Sequence, residues 1–193
     1  MITTEQIKEL REKTGISIMQ CKKALEDAGG DMEKAIVMLK KKGAEIAAKK
    51  SERTLGAGIV ECYVHNTKLV GSMVELLCES DFVAKNEEFV KLARDIAMHV
   101  SATNPEFLSV EEIPEDAKET AKKVFEGELA GKPEEMKEKI LQGKLASYFN
   151  ERVLLDQPFI KNPDSKIRDI IEQAVQKFGE KIEVKRFVRF SIN

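Results

Sequence analysis

The residue types that bond-making chemistry draws on are present in this 193-residue chain, but their spacing does not assemble them. The two histidines, His65 and His99, stand apart, with no His-Glu-x-x-His or comparable ligand spacing around either, so no metal site is expected. Cys21, Cys62 and Cys78 form no Cys-x-x-Cys pair and sit among apolar neighbours. They are expected to be small buried hydrophobes in a reducing compartment. No Gly-x-x-x-x-Gly-Lys-Ser/Thr phosphate loop and no Gly-x-Ser-x-Gly elbow occurs. Gly56-Ala57-Gly58 resembles the start of a dinucleotide fingerprint, but the third glycine is missing and the segment precedes a strand instead of following one. The carboxylates fall mostly on charged helical faces, where solvation accounts for them. The chain reads as a protein without a cofactor that binds another macromolecule and does not catalyse bond chemistry.

One segment asks for a functional explanation. In Ser80-Asp81-Phe82-Val83-Ala84-Lys85-Asn86 an aromatic stands beside a carboxylate where a polar or glycine-rich turn is the norm. Two readings follow from local physics. In one, Phe82 and Val83 tuck into the core and Asp81 caps a turn. In the other, Phe82 is an exposed aromatic wedge flanked by an acceptor, the composition of an interface hot spot.

The elements that must position this segment are legible from periodicity. Thr3 with Gln6, and Ser17 with Gln20, have the spacing of capping boxes. Ile7 and Leu10 form a short stripe stopped at Thr14-Gly15. Ile18, Cys21, Leu25 and Ala28 form a second, ended by Gly29-Gly30. Met32, Ala35, Ile36 and Leu39 form a third behind Asp31, which Gly43 is expected to close. The expectation is a three-helix bundle with a linker over residues 1–53, in which the basic run Lys40 to Arg53 is a solvated helix end or linker.

From residue 57 the period changes to two. Ile59, Glu61, Tyr63 and His65 alternate with Val60, Cys62 and Val64. After a turn at Asn66-Thr67-Lys68, Val70, Ser72, Val74 and Leu76 alternate in the same way, predicting a β-hairpin. Asn86 then caps an amphipathic helix bearing Phe89, Leu92, Ala93, Ile96, Ala97 and Val100. Residues 106–142 carry eleven acidic and six basic side chains around Ala117, Ala121, Val124, Phe125, Leu129, Met136, Ile140 and Leu141. With Gly131-Lys132-Pro133 dividing it, this stretch predicts a projecting helical hairpin at about 112–150. Asp164 or Ser165 should start a last helix that Gly179 ends, followed by a strand through Phe190. The predicted class is α+β: an N-terminal three-helix, UBA-like bundle, then an antiparallel β-sheet with helices packed on one side, residues 54–193 forming the core.

Composition bounds the partners. Lys plus Arg number 32 against 34 Asp plus Glu, a net charge of -2, without the basic excess usual in proteins that coat nucleic acid. Residues 1–53 hold 12 basic and 9 acidic side chains, but no aromatics interleave for base stacking. No apolar run reaches the roughly 18–20 residues of a membrane span, and no secretory leader pattern opens the chain. A cytoplasmic location is expected.

Several blocks in series carry a family resemblance. Leu10-Arg11-Glu12-Lys13-Thr14-Gly15, Met19-Gln20-Cys21-Lys22-Lys23-Ala24-Leu25 and Gly30-Asp31-Met32-Glu33-Lys34-Ala35 closely resemble the N-terminal domain of translation elongation factor Ts. Ser80-Asp81-Phe82-Val83-Ala84-Lys85-Asn86 resembles that family's signature loop. Gly143-Lys144-Leu145, Asp156-Gln157-Pro158-Phe159 and Phe187-Val188-Arg189-Phe190 resemble its later blocks. The family usually has threonine where Ser80 stands and asparagine where Leu77 stands, and many members continue past Phe190 with a Gly-Glu pair absent here.

The resemblance implies a guanine-nucleotide exchange factor for elongation factor Tu. It implies that Ser80, Asp81, Phe82 and Val83 form the loop that dislodges the partner's Mg²⁺, with Phe82 inserted between helices of the GTPase domain. It implies that Ile18, Met19, Lys22 and Lys23 dock the N-terminal bundle on another helix of that domain, although Ile18 also falls on the core stripe. The acidic hairpin and the C-terminal sheet would touch other parts of the partner. By resemblance to short members with a single core half, two chains would pair as a homodimer. Rival readings from other classes are a ubiquitin-like-modifier or helix-binding adaptor, suggested by the N-terminal module, and an RNA-binding translation accessory using residues 40–53.

Overall fold

A computed structural model describes residues 2–127 and 134–192. Helix α1 (Thr4–Thr14) begins on a complete capping box: Thr3 accepts from the Gln6 N–H and the Gln6 side chain accepts from the Thr3 N–H. Gly15, at φ 67°, closes it by donating its N–H to Arg11 O. Helix α2 (Ile18–Asp27) is capped by Ser17, but the reciprocal half of that predicted box is not made. Gln20 instead accepts a hydrogen bond from Gln176 Nε2 at 2.5 Å, tying α2 to a helix 156 residues away. Leu10, Ile16, Cys21, Leu25, Ala35 and Leu39 close the small core of these helices.

Helix α3 runs over Met32–Lys50 from an Asp31 cap, so it does not stop at Gly43 as expected. Gly43 lies in the α3 packing seam: a Cβ there would sit 3.2 Å from Gln176 Oε1 and 3.5 Å from the Glu172 carbonyl. The absent side chain lets two helix backbones approach, and the same residue that signals a C-cap in sequence serves as a contact point. The basic run is correspondingly helical, and part of it is engaged. Lys40 Nζ donates to Asp164 O at 2.8 Å, and Lys50 Nζ to Gly179 O at 2.7 Å.

Strands β1 (Ala57–Val64) and β2 (Val70–Cys78) form the predicted antiparallel hairpin. Strand β5 (Ile182–Ser191) pairs antiparallel with the other edge of β2, giving the order β1-β2-β5. Gly58 has a packing role and not a phosphate-loop role, since a Cβ there would lie 2.6 Å from the Leu76 carbonyl. After a single helical turn, α4 (Asp81–Ala84), helix α5 (Glu87–Thr103) covers one sheet face from its Asn86 cap. Val74, Leu76, Phe89, Ile96, Ala97, Val100, Ile167 and Val184 lie in the resulting core.

Helices α6 (Glu115–Gly127) and α7 (Glu134–Asn150) pack on each other through a separate cluster that includes Ala121, Phe149 and Val153. Leu129 and the dividing Gly131-Lys132-Pro133 lie outside the described residues. Two short strands, β3 (Pro158–Phe159) and β4 (Asn162–Lys166), precede helix α8 (Ile167–Phe178). The last helix therefore starts after Lys166 and not at Asp164 or Ser165. Ser165 belongs to β4, and Asp169 Oδ2 accepts from the Lys166 N–H at the true helix start. Gly179, at φ 72°, ends α8 as predicted. The class is α+β, with N-terminal helices, an antiparallel sheet and packed helices.

Among the described residues, the sheet is covered on one face only. Val60, Cys62 and Val64 of β1, Met73 of β2, and Val188 and Phe190 of β5 point outward and are exposed. Register places Cys62 beside Met73, Met73 beside Val188, and Gly71 beside Phe190, so they form one continuous apolar surface. Cys62 is thus not the buried hydrophobe expected of all three cysteines. Strand alternation sends it to the uncovered face, while Cys21 and Cys78 are buried.

Candidate functional site

The path from β2 into α5 reverses within Glu79–Asn86. Ser80, extended at φ -131° and ψ 154°, is the N-cap of α4 and accepts from the Val83 N–H at 3.5 Å. Lys85 N–H closes the turn on Asp81 O at 3.1 Å, and Asn86 Oδ1 immediately caps α5 by accepting from the Glu88 N–H. The segment predicted as a loop is therefore a capped helical turn leading into a second capped helix. The Ala84 and Asn86 N–H groups bond the Ser80 and Val83 carbonyls, and these contacts with the two caps fix the direction of the turn.

This turn resolves the two readings of Phe82 by separating them. Val83 and Ala84 face inward and join the main core cluster. Phe82 faces outward and is 92% exposed, the most exposed large apolar side chain among the described residues. Asp81 stands beside it on the surface, paired with Lys85 at 3.3 Å. Among Ser80, Asp81, Phe82 and Val83, then, Asp81 and Phe82 form the presented surface. Ser80 is half-buried as the cap, and Val83 is the anchor that holds the turn down. An apolar ring almost wholly in water has no folding reason to be there, since its removal from water would be worth about 2 kcal/mol or more.

Behind the turn lies a reciprocal pair of carboxylate clasps. Glu180, just past the end of α8, accepts at Oε2 from the Glu79 N–H (3.1 Å) and the Ser80 N–H (3.0 Å). Its Oε1 accepts from the Ser80 hydroxyl at 2.5 Å. In return, Glu79 Oε1 accepts from the Lys181 N–H at 2.5 Å, and Arg53 reaches the same carboxylate at 3.2–3.3 Å. The Lys181 N–H, with Arg53 adding to it, holds the Glu79 carboxyl below the usual glutamate range. The Cys78 thiol donates to Ser80 O at 3.3 Å, and burial, with the Glu180 charge nearby, pushes that thiol up. Neither Glu79 nor Glu180 stood out in the sequence. Each acts across about a hundred residues, beyond the reach of any local pattern.

On the N-terminal helices, Ile18 and Met19 are 50% and 75% exposed at the start of α2. Ile18 therefore belongs to the surface and not to the core stripe, where Ile16 takes the buried place. Lys22 and Lys23 are exposed on the same helix, Lys22 in a 3.8 Å ion pair with Glu26. The sequence-named residues thus form two separate surfaces, one on α2 and one on α4. Among the described residues, no group of three or more His, Cys, Asp or Glu is arranged to hold a metal ion, and no helix is long and apolar enough to cross a membrane.

Residues 3–193 match the sequence model of a family described as Elongation factor TS. The chain is 52% identical over 192 residues to the elongation factor Ts of Thermodesulfovibrio yellowstonii, covering 99% of this chain and 96% of that protein. It is 46% identical over 194 residues to the elongation factor Ts of Carboxydothermus hydrogenoformans, covering 100% of this chain and 89% of the relative. It is likewise 46% identical over 194 residues to that of Thermosipho melanesiensis, covering 100% and 99%.

Proposed function

The chain belongs to the elongation factor Ts family, and from that premise we propose that it is a guanine-nucleotide exchange factor for elongation factor Tu, acting by binding and not by bond chemistry. The observation that carries this reading is Phe82, held 92% exposed on a capped turn whose neighbour Val83 is buried. A rigidly presented aromatic loses little conformational freedom when a partner covers it, so most of its burial energy remains available for binding.

Exchange is negative coupling on one GTPase. The factor and GDP each weaken the other's affinity, and the coupling is reciprocal. Such a factor needs contacts that strengthen only when the nucleotide site is distorted. Phe82 inserts between helices of the GTPase domain, Asp81 engages polar groups beside it, and Ser80 and Val83 fix the turn from behind. The insertion displaces the elements that hold the partner's Mg²⁺. That ion neutralises the β-phosphate, so its loss speeds GDP release. The magnesium belongs to the partner.

Ile18, Met19, Lys22 and Lys23 dock α2 on a second helix of the same GTPase domain. Residues 1–53 act as the docking domain and 54–193 as the core, with the α6–α7 hairpin as a further contact. The setting is cytoplasmic, without direct nucleic-acid binding. The test is the release of labelled GDP from elongation factor Tu with and without the chain: acceleration that is lost in Phe82→Ala supports the reading, and no acceleration by the parent chain rejects it.

A second reading concerns assembly and is favoured by the uncovered sheet face. Val60, Val64, Met73, Val188 and Phe190 form an apolar surface that a second copy would cover, giving a homodimer whose two-fold places the same patch on both sides. Light scattering of the chain alone, and with nucleotide-free elongation factor Tu, reads the mass and the stoichiometry together. A monomer at micromolar concentration would refute the pairing.

A further inference from the structure

The Ser80–Val83 turn is held from behind by Glu180, and we propose that Glu180 is a positioning residue for Phe82. Three contacts converge on one carboxylate: two consecutive backbone N–H groups, of Glu79 and Ser80, and the Ser80 hydroxyl. That hydroxyl is shared. It donates its proton to Glu180 Oε1 and offers a lone pair to the Val83 N–H. The Glu180 contact therefore fixes the hydroxyl orientation that the N-cap requires, and the cap sets the rotation of the turn bearing Phe82. Such charge-assisted contacts are shorter and stronger than neutral ones, and they act here where the chain leaves the sheet.

Glu180 is itself held on both sides. Gly179 before it closes α8 and accepts from Lys50 Nζ, and Lys181 after it donates its N–H to Glu79. The carboxylate thus belongs to the α8–β5 junction, and it aims an element 100 residues earlier in the chain. Arg53 and Lys181 bond the Glu79 carboxylate, and the Cys78 thiol donates to the Ser80 carbonyl; Glu180 is the carboxylate that bonds both the Ser80 N–H and the Ser80 hydroxyl.

The consequence for exchange rests on the function proposed above, whereas the positioning itself is measurable without a partner. The chain has no tryptophan, so Phe82→Trp places a single, selectively excitable indole on the turn. Adding Glu180→Ala to that reporter should lower its steady-state anisotropy, and Glu180→Gln, which keeps an acceptor for the two N–H groups but puts a donor NH₂ where the Ser80 hydroxyl needs an acceptor, should restore only part of it. An anisotropy that Glu180→Ala leaves unchanged overturns the proposal, whatever the exchange assay shows.

With elongation factor Tu, Glu180→Ala should slow stimulated GDP release about tenfold, the scale of losing hydrogen bonds to a charged group. Glu180→Gln should recover only part of the rate. In a Phe82→Ala background the added Glu180→Ala should change release less than about twofold, because the ring it positions is already gone. An equal loss in both backgrounds would mean that Glu180 acts elsewhere, and normal release by Glu180→Ala would mean that it positions nothing. If Phe82→Ala alone exchanges as fast as the parent, the wedge function fails, and the anisotropy alone judges the positioning.

Discussion

Truncating Phe82 separates a folding role from the proposed binding role, because the two call for opposite magnitudes. At 92% exposure the ring contributes almost nothing to the fold, so Phe82→Ala should alter unfolding free energy by less than about 0.5 kcal/mol. Phe89, fully buried seven residues later, provides the internal comparison: Phe89→Ala should cost about 3–5 kcal/mol. Against a partner the order reverses. Covering a phenyl side chain is worth about 1.5–3 kcal/mol, and aromatic anchors at interface centres commonly cost about 2 kcal/mol or more on truncation. A loss of 2 kcal/mol corresponds to roughly a thirtyfold slower stimulated release.

The assay is stopped-flow release of a fluorescent GDP analogue from elongation factor Tu over a range of factor concentrations, with denaturant unfolding of each variant in parallel. Unchanged stability with a large loss of exchange is the expected pair. Full exchange activity in Phe82→Ala would refute the wedge. A destabilisation of several kcal/mol would refute the outward placement of the ring.

Three further outcomes follow from other parts of the molecule. Val188→Asp, which puts a charge at the middle of the uncovered sheet face beside Met73, should convert a homodimer to a monomer by light scattering while leaving the far-UV spectrum intact; a dimer that survives it would place the pairing elsewhere. Gly58→Ala should destabilise the chain by about 1–3 kcal/mol in thermal unfolding, because its Cβ would meet the Leu76 carbonyl at 2.6 Å and a backbone atom must move. His99 is fully buried, with Nε2 bonded to Gln157 Oε1 at 2.8 Å and Nδ1 accepting from the Ile160 N–H, and burial holds its pKa below the usual 6.5 although the Gln157 contact opposes this. The unfolded chain therefore binds the proton first. The stability His99 contributes is complete above about pH 6.5 and falls as pH drops from there toward the folded value, at no more than about 1.4 kcal/mol per pH unit. Comparing the slope of unfolding free energy between pH 7.5 and 5.5 with that of His99→Gln isolates it from Glu172, whose raised pKa, caused first by burial, acts in the opposite direction in both proteins; equal slopes would exclude His99 as the source.

Much of the architecture was legible because its signals lie within a few residues of one another. Thr3, Asp31 and Asn86 cap the helices that their spacing announces, since a cap is a contact between positions two or three apart. The hairpin was readable from alternation, and the ordered series of motif blocks was enough to identify the family. What could not be read were contacts made across the chain. Gly43 presents the stop signal of a helix end, yet α3 continues because α8 packs against that glycine. Gln20 looks like half of a capping box and is taken instead by Gln176. Cys62 has the apolar neighbours of a core residue, and only the one-sided covering of the sheet turns it outward.

The signature segment shows the division most clearly. Its sequence determined that an aromatic, an acid and a hydroxyl would stand together between strand and helix, and it left two placements of the ring open. Tertiary structure decided between them: Val83 has a core to enter and Phe82 has none, so the turn rolls one side chain in and the other out. The Glu180 carboxylate that steadies this turn lies 100 positions away. No period or motif reaches that far, because the two are neighbours only after β5 has paired with β2.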